Sequence, residues 1–493
     1  MEERYILAVD QSTQGTKGLL FDSGGRLAAR ADLPHRQIVN EKGWVEHDPL
    51  EILSNTVKVC RNVIEKARIL PGQVAAMGIS NQRETSAAWD RETGAPVCNA
   101  IVWQCARSAE LAKKHEEERE SIRKKTGIPL SPYFPASKFS WIMKEVPEAS
   151  MLAKKGRLCF GTVDSWLLFC LTIERVHKTD YSNASRTQLF HLKELCWDEE
   201  LCRSFGIPMD ALPKVCMSDS CFGHTDLGGY LPAPIPVCGV LGDSHGALFG
   251  QDCRRPGQIK ATYGTGSSVM MNIGEQALWN EKGLVTSIAW GMQGRIQYVF
   301  EGNLNYTGAV ISWLKDGLGL IGNAGETARL AAEANPSDRT YFVPAFTGLG
   351  APYWDAGATG LFTGIGRTTG KKEIVKACLE CIAYQIADLT GLMGDGIGKK
   401  LEELKVDGGP AENEYLMQFQ SDIADLKIRI PQTKELSGMG AAYAAGLSAG
   451  LYREEELFGG LVYEDYLPHI EADIRERLIS GWKQAVRQAL AHD

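Results

Sequence analysis

Carboxylates, hydroxyls and glycines stand at several strand ends, in patterns that suit the handling of phosphate. The first is Asp10–Lys17 (DQSTQGTK), which follows the apolar run Tyr5–Val9. Backbone N–H groups and hydroxyls in such a turn cradle phosphate oxygens. Asp10 can hold Mg²⁺ directly or through water, and Lys17 adds a point charge. The segment is not a Walker loop, because G-x-x-x-x-G-K-[ST] is absent, and an ordinary polar hairpin is the alternative.

Two later glycine-rich turns have related chemistry. In Tyr263–Gly266 (YGTG) two glycines allow close backbone approach, and Thr265 offers a hydroxyl. Val406–Pro410 (VDGGP) is followed by Asn413, and glycines just before a helix suit an anion or a flat adenine packed on the backbone. Plain turns are the alternative for both segments.

One carboxylate is placed to act as a base. Asp243 follows the apolar run Val237–Leu241 and is flanked by Gly242 and Gly246. At the mouth of a strand it is positioned to accept the proton of a hydroxyl. His245 could compete for that role, and a structural or surface histidine is the alternative for it.

Other strand ends offer contacts for a small hydroxylated molecule. Arg83 and Glu84 place opposite charges side by side after the strand Ala75–Ile79, and Trp103 follows another short strand. The charges could fix hydroxyls, and the indole could cover the carbon backbone of a small polyol. An exposed ion pair and a core tryptophan are the respective alternatives.

The elements that position these residues form two similar units. Each unit is a strand, a Gly/Ser/Thr-rich tip and a second strand, once at Tyr5–Asp22 and again at Ile259–Asn272. They predict two related α/β domains that offer their tips to a shared cleft, although so short a similarity also arises by chance. We place the boundary at Gly250–Gly257, which gives domains 1–250 and 251–493. Helices are predicted at Asp48–Ala67, Glu373–Leu389, Glu412–Ile423 and Glu471–Asp493.

Length and composition limit the function classes. A chain of 493 residues exceeds one compact core, and its net charge of −8 argues against nucleic acid as a partner. The 13 cysteines are scattered, which predicts reduced thiols, and Cys378 and Cys381 are predicted to pack within a helix rather than bind a metal. No signal peptide and no membrane-length apolar run are visible, so a cytoplasmic protein is expected.

Long segments of the chain resemble a known family. They are Gly43–Pro49, Asn81–Thr85, Trp103–Cys105, Tyr133–Glu145 around Lys138 and Trp141, Thr179–Thr187, Pro344–Asp355 and Gly360–Glu380. On these segments the chain resembles the FGGY carbohydrate kinases, and among them the glycerol kinases, over roughly residues 5 to 485. One departure inside the last segment is Cys378, where the family pattern usually has another small or aliphatic residue.

The resemblance implies a fold and a set of roles. The fold is two actin-like ATPase (ribonuclease H-like) domains, each an α-covered mixed sheet, closing over a cleft. ATP and Mg²⁺ are implied as phosphoryl donor and metal, a small polyol or sugar as acceptor, and a homo-oligomer (dimer or tetramer) as the assembly. The implied base is Asp243 and the implied metal residue Asp10. Implied substrate residues are Arg83, Glu84, Trp103, Tyr133, Asp243, Ser244 and Ser268, and implied nucleotide residues are Ser12, Thr13, Gln14, Lys17, Thr265, Gly308, Gly409 and Asn413.

Departures from the glycerol kinase pattern fall where the acceptor sits. Ser244 and Ser268 stand there in place of the usual glutamine and phenylalanine, whereas the change from arginine to Lys17 falls at the phosphate site instead. A roomier, more polar pocket follows, and a site that hydrogen-bonds a hydroxyl discriminates strongly against analogues that lack it. Glycerol and a four- or five-carbon polyol or ketose therefore both remain open. An actin-like filament or chaperone ATPase and a degenerate sensor are rivals from other classes.

The resemblance also bears on regulation. Some bacterial relatives bind fructose 1,6-bisphosphate through a glycine-rich loop that ends in arginine. The matching loop here, Leu227–Pro234, contains no cation. We therefore predict no inhibition by this sugar bisphosphate.

Overall fold

The computed structural model describes residues 3–491, and its first half is built on a six-stranded sheet. Its strands are β1 (Tyr5–Gln11), β2 (Gly15–Phe21), β3 (Leu27–Pro34), β4 (Val74–Asn81), β5 (Gly223–Thr225) and β6 (Ile235–Gly242), in the order β5-β6-β4-β1-β2-β3. β1 pairs in parallel with β4, and β6 with β4, whereas β1–β2 and β2–β3 are antiparallel. Every residue of β1 is buried, which explains the continuous apolar run Tyr5–Val9 in the middle of the sheet; the strand ends on the buried polar residues Asp10 and Gln11.

A second sheet of seven strands repeats this arrangement. Its strands are β7 (Ile259–Tyr263), β8 (Ser267–Gly274), β9 (Val285–Met292), β10 (Arg295–Leu304), β11 (Glu403–Gly408), β12 (Lys427–Pro431) and β13 (Tyr463–Tyr466), in the order β9-β10-β8-β7-β11-β12-β13. The hairpin β7–β8 continues antiparallel into β10, and two parallel strands, β11 and β12, follow β7 on its other side. The prediction of two related α/β units is confirmed by this shared topology.

Helices cover the two sheets. The main ones are α1 (Pro49–Ala67), α2 (Pro135–Glu145), α3 (Val163–Leu171), α4 (Asp243–Gly250), α5 (Lys371–Ile397), α6 (Glu414–Ala424), α7 (Leu436–Ser448) and α8 (Ala472–Leu490). Asp48 precedes α1 as its N-cap, and its side chain accepts from the Leu50 N–H. The predicted helix at 412–423 begins later, at Glu414, because Gly409–Glu412 forms a 3₁₀ turn. The predicted last helix extends to residues 492 and 493, which lie outside the described residues.

Shorter elements connect these layers. Short strands are Ile38–Val39, Val45–His47, Ala87–Asp90, Ala100–Ile101, Leu158–Gly161, Lys178–Asp180, Phe190–His191, Cys196–Trp197, Lys214–Cys216, Tyr341–Val343 and Leu361–Thr363. Short helices are Ala109–Lys113, Arg119–Thr126, Pro147–Lys154, Tyr181–Ala184, Glu199–Ser204, Gly308–Ser312, Glu326–Ala332 and Glu454–Gly459. None of the helices within residues 3–491 combines the length and apolar character needed to cross a bilayer. Cys378 and Cys381 are both buried on α5, as predicted.

A close helix crossing holds the segment that carries Asp243. Helix α7, although late in the chain, packs against α4 and the first sheet. The two helices meet at glycines, since a Cβ on Gly440 would lie only 1.9 Å from the Gly246 carbonyl oxygen. After most strands of the second sheet, the chain thus returns to the first domain, where α7 packs against the helix that begins at Asp243.

Candidate active site

Asp10 and Lys17 face each other across the first hairpin. They are directly opposite in the β1–β2 register, with Lys17 Nζ 3.5 Å from Asp10 Oδ2. Burial raises the pKa of Asp10 to about 6; the nearby Asp243 and Glu435 carboxylates add to the rise, while Lys17 opposes it. Lys17 Nζ also donates to Glu435 Oε2 at 2.7 Å, so its charge is held beside two carboxylates at the predicted phosphate site.

Ser12, Thr13 and Gln14 form the tip of this hairpin. The Ser12 N–H and hydroxyl both donate to the Gly15 carbonyl, at 2.9 and 3.0 Å, which closes the turn. Gln14 is exposed, and the Thr13 hydroxyl accepts from the Trp103 indole N–H at 2.9 Å. The tip is therefore tied to the residue predicted to line the acceptor site.

Asp243 lies at the first turn of α4 beside Arg83. Its Oδ1 accepts from the Ser244 N–H at 2.7 Å and lies 3.3 Å from Arg83 Nε. Both contacts use one oxygen, and the side chain is 34% exposed. Arg83 is itself immobilised by Glu301 of β10, whose two carboxylate oxygens accept from Nη1 and Nη2 at 2.9 Å each. A carboxylate held at one oxygen and open to the cleft suits a general base.

The charges around Arg83 form one buried network. Glu84 Oε1 accepts from Arg186 Nε at 2.6 Å, and Arg186 Nη1 lies 2.9 Å from Glu301 Oε2. Burial opposes the charge of Arg83, but Glu301, Glu84 and Asp243 outweigh it and raise the pKa of Arg83 well above its usual value. Burial likewise favours neutral Glu301, yet Arg186 and Arg83 hold the pKa of its carboxyl low. Glu84 takes the left-handed conformation (φ 58°), a strained backbone geometry that concentrates at functional sites.

Trp103 and Tyr133 form an aromatic wall next to these charges. Their ring centroids are 5.4 Å apart at an interplanar angle of 56°. The buried Lys138 ties the two residues together, because its Nζ donates to both backbone carbonyls, at 2.9 Å for Trp103 and 2.6 Å for Tyr133. Burial lowers the pKa of Lys138 to about 7, with Glu84 opposing the shift.

Ser268 lies on the face of the second sheet that carries Glu301. In register it stands between Thr262 and Asn303, and two residues further along the strands, on the same face, lie Lys260, Met270 and Glu301. Its hydroxyl is buried without a hydrogen-bond partner. His245 is also fully buried, and neither ring nitrogen has a partner. Burial, together with the Arg83 charge, lowers the pKa of His245 well below its usual value, so the ring is neutral.

The second hairpin tip is built from backbone contacts. A Cβ on Gly266 would lie 2.4 Å from the Leu304 carbonyl oxygen, and one on Gly308 would lie 2.5 Å from that of Gly264. The Gly308 N–H donates to the Gly264 carbonyl at 2.9 Å, which holds the short helix Gly308–Ser312 against the tip. Thr265 is exposed at the apex. Only glycine permits this close approach.

A cavity of about 770 Å³ opens beside the second tip. Three of the predicted nucleotide residues, Gly308, Gly409 and Asn413, line it together with Ile311 and Leu379. Asn413 is partly committed to structure, since its Oδ1 caps α6 by accepting from the Leu416 N–H at 3.0 Å. The size and partly apolar lining suit a flat heterocycle.

Sequence reasoning missed several residues that hold this site. Glu301, Arg186 and the structural role of Lys138 went unassigned, although Arg186 and Lys138 lie in segments that carry the family resemblance. Glu301 gave no signal because its partner Arg83 is 218 positions away in the chain. The fold also places Arg61 of α1 against the loop Leu227–Pro234, where its Nη2 donates to the Leu227 carbonyl at 2.9 Å. The loop therefore has a neighbouring cation that its own sequence lacks.

Two sheets of one topology, each presenting a hairpin tip to a cleft with a buried acid–arginine cluster, define a two-domain phosphotransferase of the actin-like ATPase fold. Models of the FGGY family of carbohydrate kinases match the chain twice, the N-terminal domain over residues 5–250 and the C-terminal domain over residues 259–449. The chain belongs to this family.

Relatives and solved structures agree over the full length. Glycerol kinase 2 of Thermotoga maritima is 45% identical over 493 residues, and glycerol kinase of Symbiobacterium thermophilum is 46% identical over 495 residues; each alignment covers 99% of both chains. The crystal structure of Plasmodium falciparum glycerol kinase with ADP has a TM-score of 0.94 at 33% identity, covering 100% of this chain and 99% of that one. Xylulose kinase from Lactobacillus acidophilus has a TM-score of 0.88 at 22% identity, covering 99% of each chain, and supports the fold alone.

Proposed function

We propose that this chain transfers the terminal phosphoryl group of ATP to a terminal hydroxyl of a small polyol, as a glycerol kinase does. The observation that carries the proposal is the Asp243 carboxylate, held through Oδ1 next to an immobilised Arg83 and open to the cleft. Full-length relatives named glycerol kinase, and a similar structure solved with ADP, support the acceptor and donor classes.

The acceptor side works by orientation and proton removal. Arg83 and Glu84 fix the hydroxyls of the polyol, and the wall of Trp103 and Tyr133 packs on its carbons. Asp243 takes the proton of the attacking hydroxyl as the new P–O bond forms in line with the bond to the leaving ADP. Phosphoryl transfer requires little covalent chemistry from the protein, so positioning and charge neutralisation supply most of the acceleration.

The donor side is divided between the two tips. Ser12, Thr13, Gln14 and Lys17 hold phosphate oxygens from the first hairpin, and Thr265 holds them from the second. Gly308, Gly409 and Asn413 line the cavity for the adenine. Closure of the cleft keeps water from competing with the polyol.

Mg²⁺ fits the residues at the first hairpin. Within residues 3–491 no cluster of three or more histidine, cysteine or acidic residues could enclose a metal, and Mg²⁺ typically binds through one or two carboxylates plus waters and phosphates. Asp10, whose Oδ2 lies 3.5 Å from Lys17 Nζ, is the carboxylate we assign to it. Bound Mg²⁺ would neutralise phosphate charge.

A four- or five-carbon polyol is the second candidate acceptor. The Ser268 hydroxyl, on the sheet face that carries Glu301, is buried without a hydrogen-bond partner. An additional hydroxyl of a longer acceptor would satisfy it, and an unmade hydrogen bond at a buried group is costly. Assembly as a homo-oligomer, a cytoplasmic location, the domain division near Gly250–Gly257 and insensitivity to fructose 1,6-bisphosphate remain predictions.

An ADP-release screen separates the candidates. The purified chain is assayed with ATP and Mg²⁺ against glycerol, erythritol, xylitol, ribitol, xylulose and ribulose. Glycerol as the best acceptor supports the first proposal, and a better four- or five-carbon acceptor supports the second. If none of the six accelerates ADP release above the rate in water, the proposed function is wrong.

The base assignment is tested by Asp243→Asn. The variant should lower kcat by about 10³-fold with little change in the KM of the acceptor, because general-base catalysis is worth about 10²–10⁴-fold. Ser244→Ala is the matched neighbour and should retain most of kcat, since Asp243 uses only the backbone N–H of Ser244; loss of the predicted acceptor contact of its hydroxyl should change only the acceptor KM. Near-normal turnover by Asp243→Asn would remove Asp243 as the base.

A further inference from the structure

Trp103 is bound to the first hairpin by two separate routes. Its indole N–H donates directly to the Thr13 hydroxyl at 2.9 Å. Its backbone N–H donates to the Thr85 hydroxyl at 3.2 Å, which in turn donates to Gln82 Oε1 at 2.8 Å. Gln82 closes the route, because its Nε2 donates to Gln11 Oε1 at 3.1 Å and its backbone N–H to the Gln11 carbonyl at 2.6 Å. A residue of the aromatic wall is thus part of the framework of the phosphate tip.

The hydrogen bond between the Trp103 indole and the Thr13 hydroxyl can run in only one direction. The indole N–H is a donor only, so the Thr13 oxygen must accept. The single proton of the Thr13 hydroxyl is then directed away from Trp103 and is free to donate. Without the indole, the same hydroxyl would rotate among several acceptors, water included.

We propose that Trp103 is a positioning residue for phosphoryl transfer, acting through Thr13, in addition to being a wall of the acceptor site. The indole N–H orders the Thr13 hydroxyl so that its proton donates to an oxygen of the transferred phosphoryl group. This inference rests on the proposed kinase function for its catalytic consequence. The bond itself, and its response to nucleotide, do not depend on which acceptor the enzyme uses.

Lys138 and Tyr133 make this coupling rigid. The Trp103 carbonyl is fixed by Lys138 Nζ, and the Tyr133 ring packs against the indole. Backbone and ring are therefore both restrained, so the indole N–H cannot follow a displaced Thr13 without breaking these contacts. An acceptor that seats against the wall and a nucleotide that seats on the tip would consequently favour the same arrangement.

Kinetics of three single variants and one double variant test the proposal. Trp103→Phe keeps an aromatic wall but loses the N–H, and Thr13→Val keeps the shape of threonine but loses the hydroxyl. Each should lower kcat by about tenfold, the value of one hydrogen bond, with a smaller change in the acceptor KM. Thr13→Ser should restore near-normal kcat, and the double variant should be no slower than Thr13→Val alone. Independent effects that multiply, or a Trp103→Phe variant that changes only the acceptor KM, would overturn the proposal.

Indole NMR provides a readout that needs no acceptor. The chain has 11 tryptophans, and the Trp103 indole resonance is identified by its loss in Trp103→Phe. A non-hydrolysable ATP analogue with Mg²⁺ should shift this resonance in the wild type and in Thr13→Ser, but not in Thr13→Val. If the analogue binds, as other resonances report, and the Trp103 indole does not respond, the coupling is absent. If the indole responds while no polyol is phosphorylated, the proposed function fails and the coupling stands.

Discussion

The two hairpins of this molecule share a framework and differ in the chemistry they present. In the first, Asp10 stands opposite Lys17; in the second, the corresponding pair is Thr262 and Ser268. In each sheet a glycine at the tip presses on the backbone of the third strand, and a Cβ on Gly15 would lie 2.6 Å from the Leu33 carbonyl oxygen. The framework is thus repeated, while an ion pair in one sheet is replaced by two hydroxyls in the other.

The residues that flank each of these pairs on the neighbouring strands differ in the same way. Asp10 is flanked in register by Ser80 and, beyond Lys17, by Asp32, whereas Thr262 is flanked by Asp407 and, beyond Ser268, by Asn303. In the first sheet Lys17 thus stands between two acidic residues, which suits a site for phosphate and metal. In the second sheet the charged residue of the four, Asp407, stands at one end, and the central pair is neutral. One fold therefore provides a charged tip and an uncharged tip by changing four opposed residues.

Removing the cation of the first hairpin should have the largest effect on stability. Lys17→Met leaves the buried Asp10 carboxylate without its cation, while Glu435 keeps its ion pair with Arg30, and breaking a buried pair costs about 3 kcal/mol. The free energy of unfolding, measured in urea at pH 7, should fall by that amount. Lys434→Met is the control, because Lys434 pairs with Glu412 on the exposed surface and should show no measurable change. Equal effects of the two variants would contradict the buried role of Lys17.

The second-largest effect is expected in the pH dependence of the free energy of unfolding, which should differ between the two hairpins because Asp10 titrates. Its pKa in the folded chain is about 6, above its ordinary 3.8, so its contribution to stability is present below pH 4 and is lost as the pH rises through 6. Asp10→Asn should therefore gain stability over the wild type by about 2–3 kcal/mol between pH 4 and about pH 7. Thr262→Val, at the corresponding position of the second hairpin, removes no carboxyl and should show a smaller pH dependence, which arises because burial raises the pKa of Asp407 and the Thr262 hydroxyl opposes that shift. A flat difference for Asp10→Asn would exclude the raised pKa.

Alanine at the tip glycines tests the shared framework. Gly15→Ala and Gly266→Ala each push a Cβ to within 2.6 and 2.4 Å of a backbone oxygen. Both should lower the free energy of unfolding by a similar amount, about 1–3 kcal/mol, because the neighbouring strand must shift. Gly366→Ala has nothing within 4 Å of the new Cβ and serves as the control. A loss in only one hairpin would break the equivalence of the two tips.

The smallest effect is expected at Ser268. Its buried hydroxyl has no partner, so Ser268→Ala should change the free energy of unfolding by less than about 0.5 kcal/mol. The neighbouring Ser267 hydroxyl donates to Thr307 Oγ1 at 3.0 Å, and Ser267→Ala should cost about 1 kcal/mol. A rise in the acceptor KM of Ser268→Ala without loss of stability would mark this hydroxyl as an acceptor contact. A large loss of stability would show that Ser268 is structural.

Much of the fold could be predicted because it depends on local pattern. The apolar runs that became β1, β6 and β7, the N-cap of α1 and the paired strand–tip–strand units are all short-range features. Boundaries were less accurate, as at α6, where a 3₁₀ turn precedes the helix. The return of α7 to the first sheet was not predictable, since the glycine contact between Gly440 and Gly246 joins residues far apart in the chain.

The sequence by itself determined which chemical groups this protein has at its strand ends: Asp10, Arg83, Glu84 and Asp243 as charges, and the glycine-rich tips as close-approach sites. Only the tertiary structure decided how they are held. Glu301 immobilises Arg83, Glu435 holds Lys17, and the Trp103 indole reaches Thr13. The reason is that charge pairing and hydrogen bonding act over a few ångströms in space, and these partners are 90 or more positions apart in the chain.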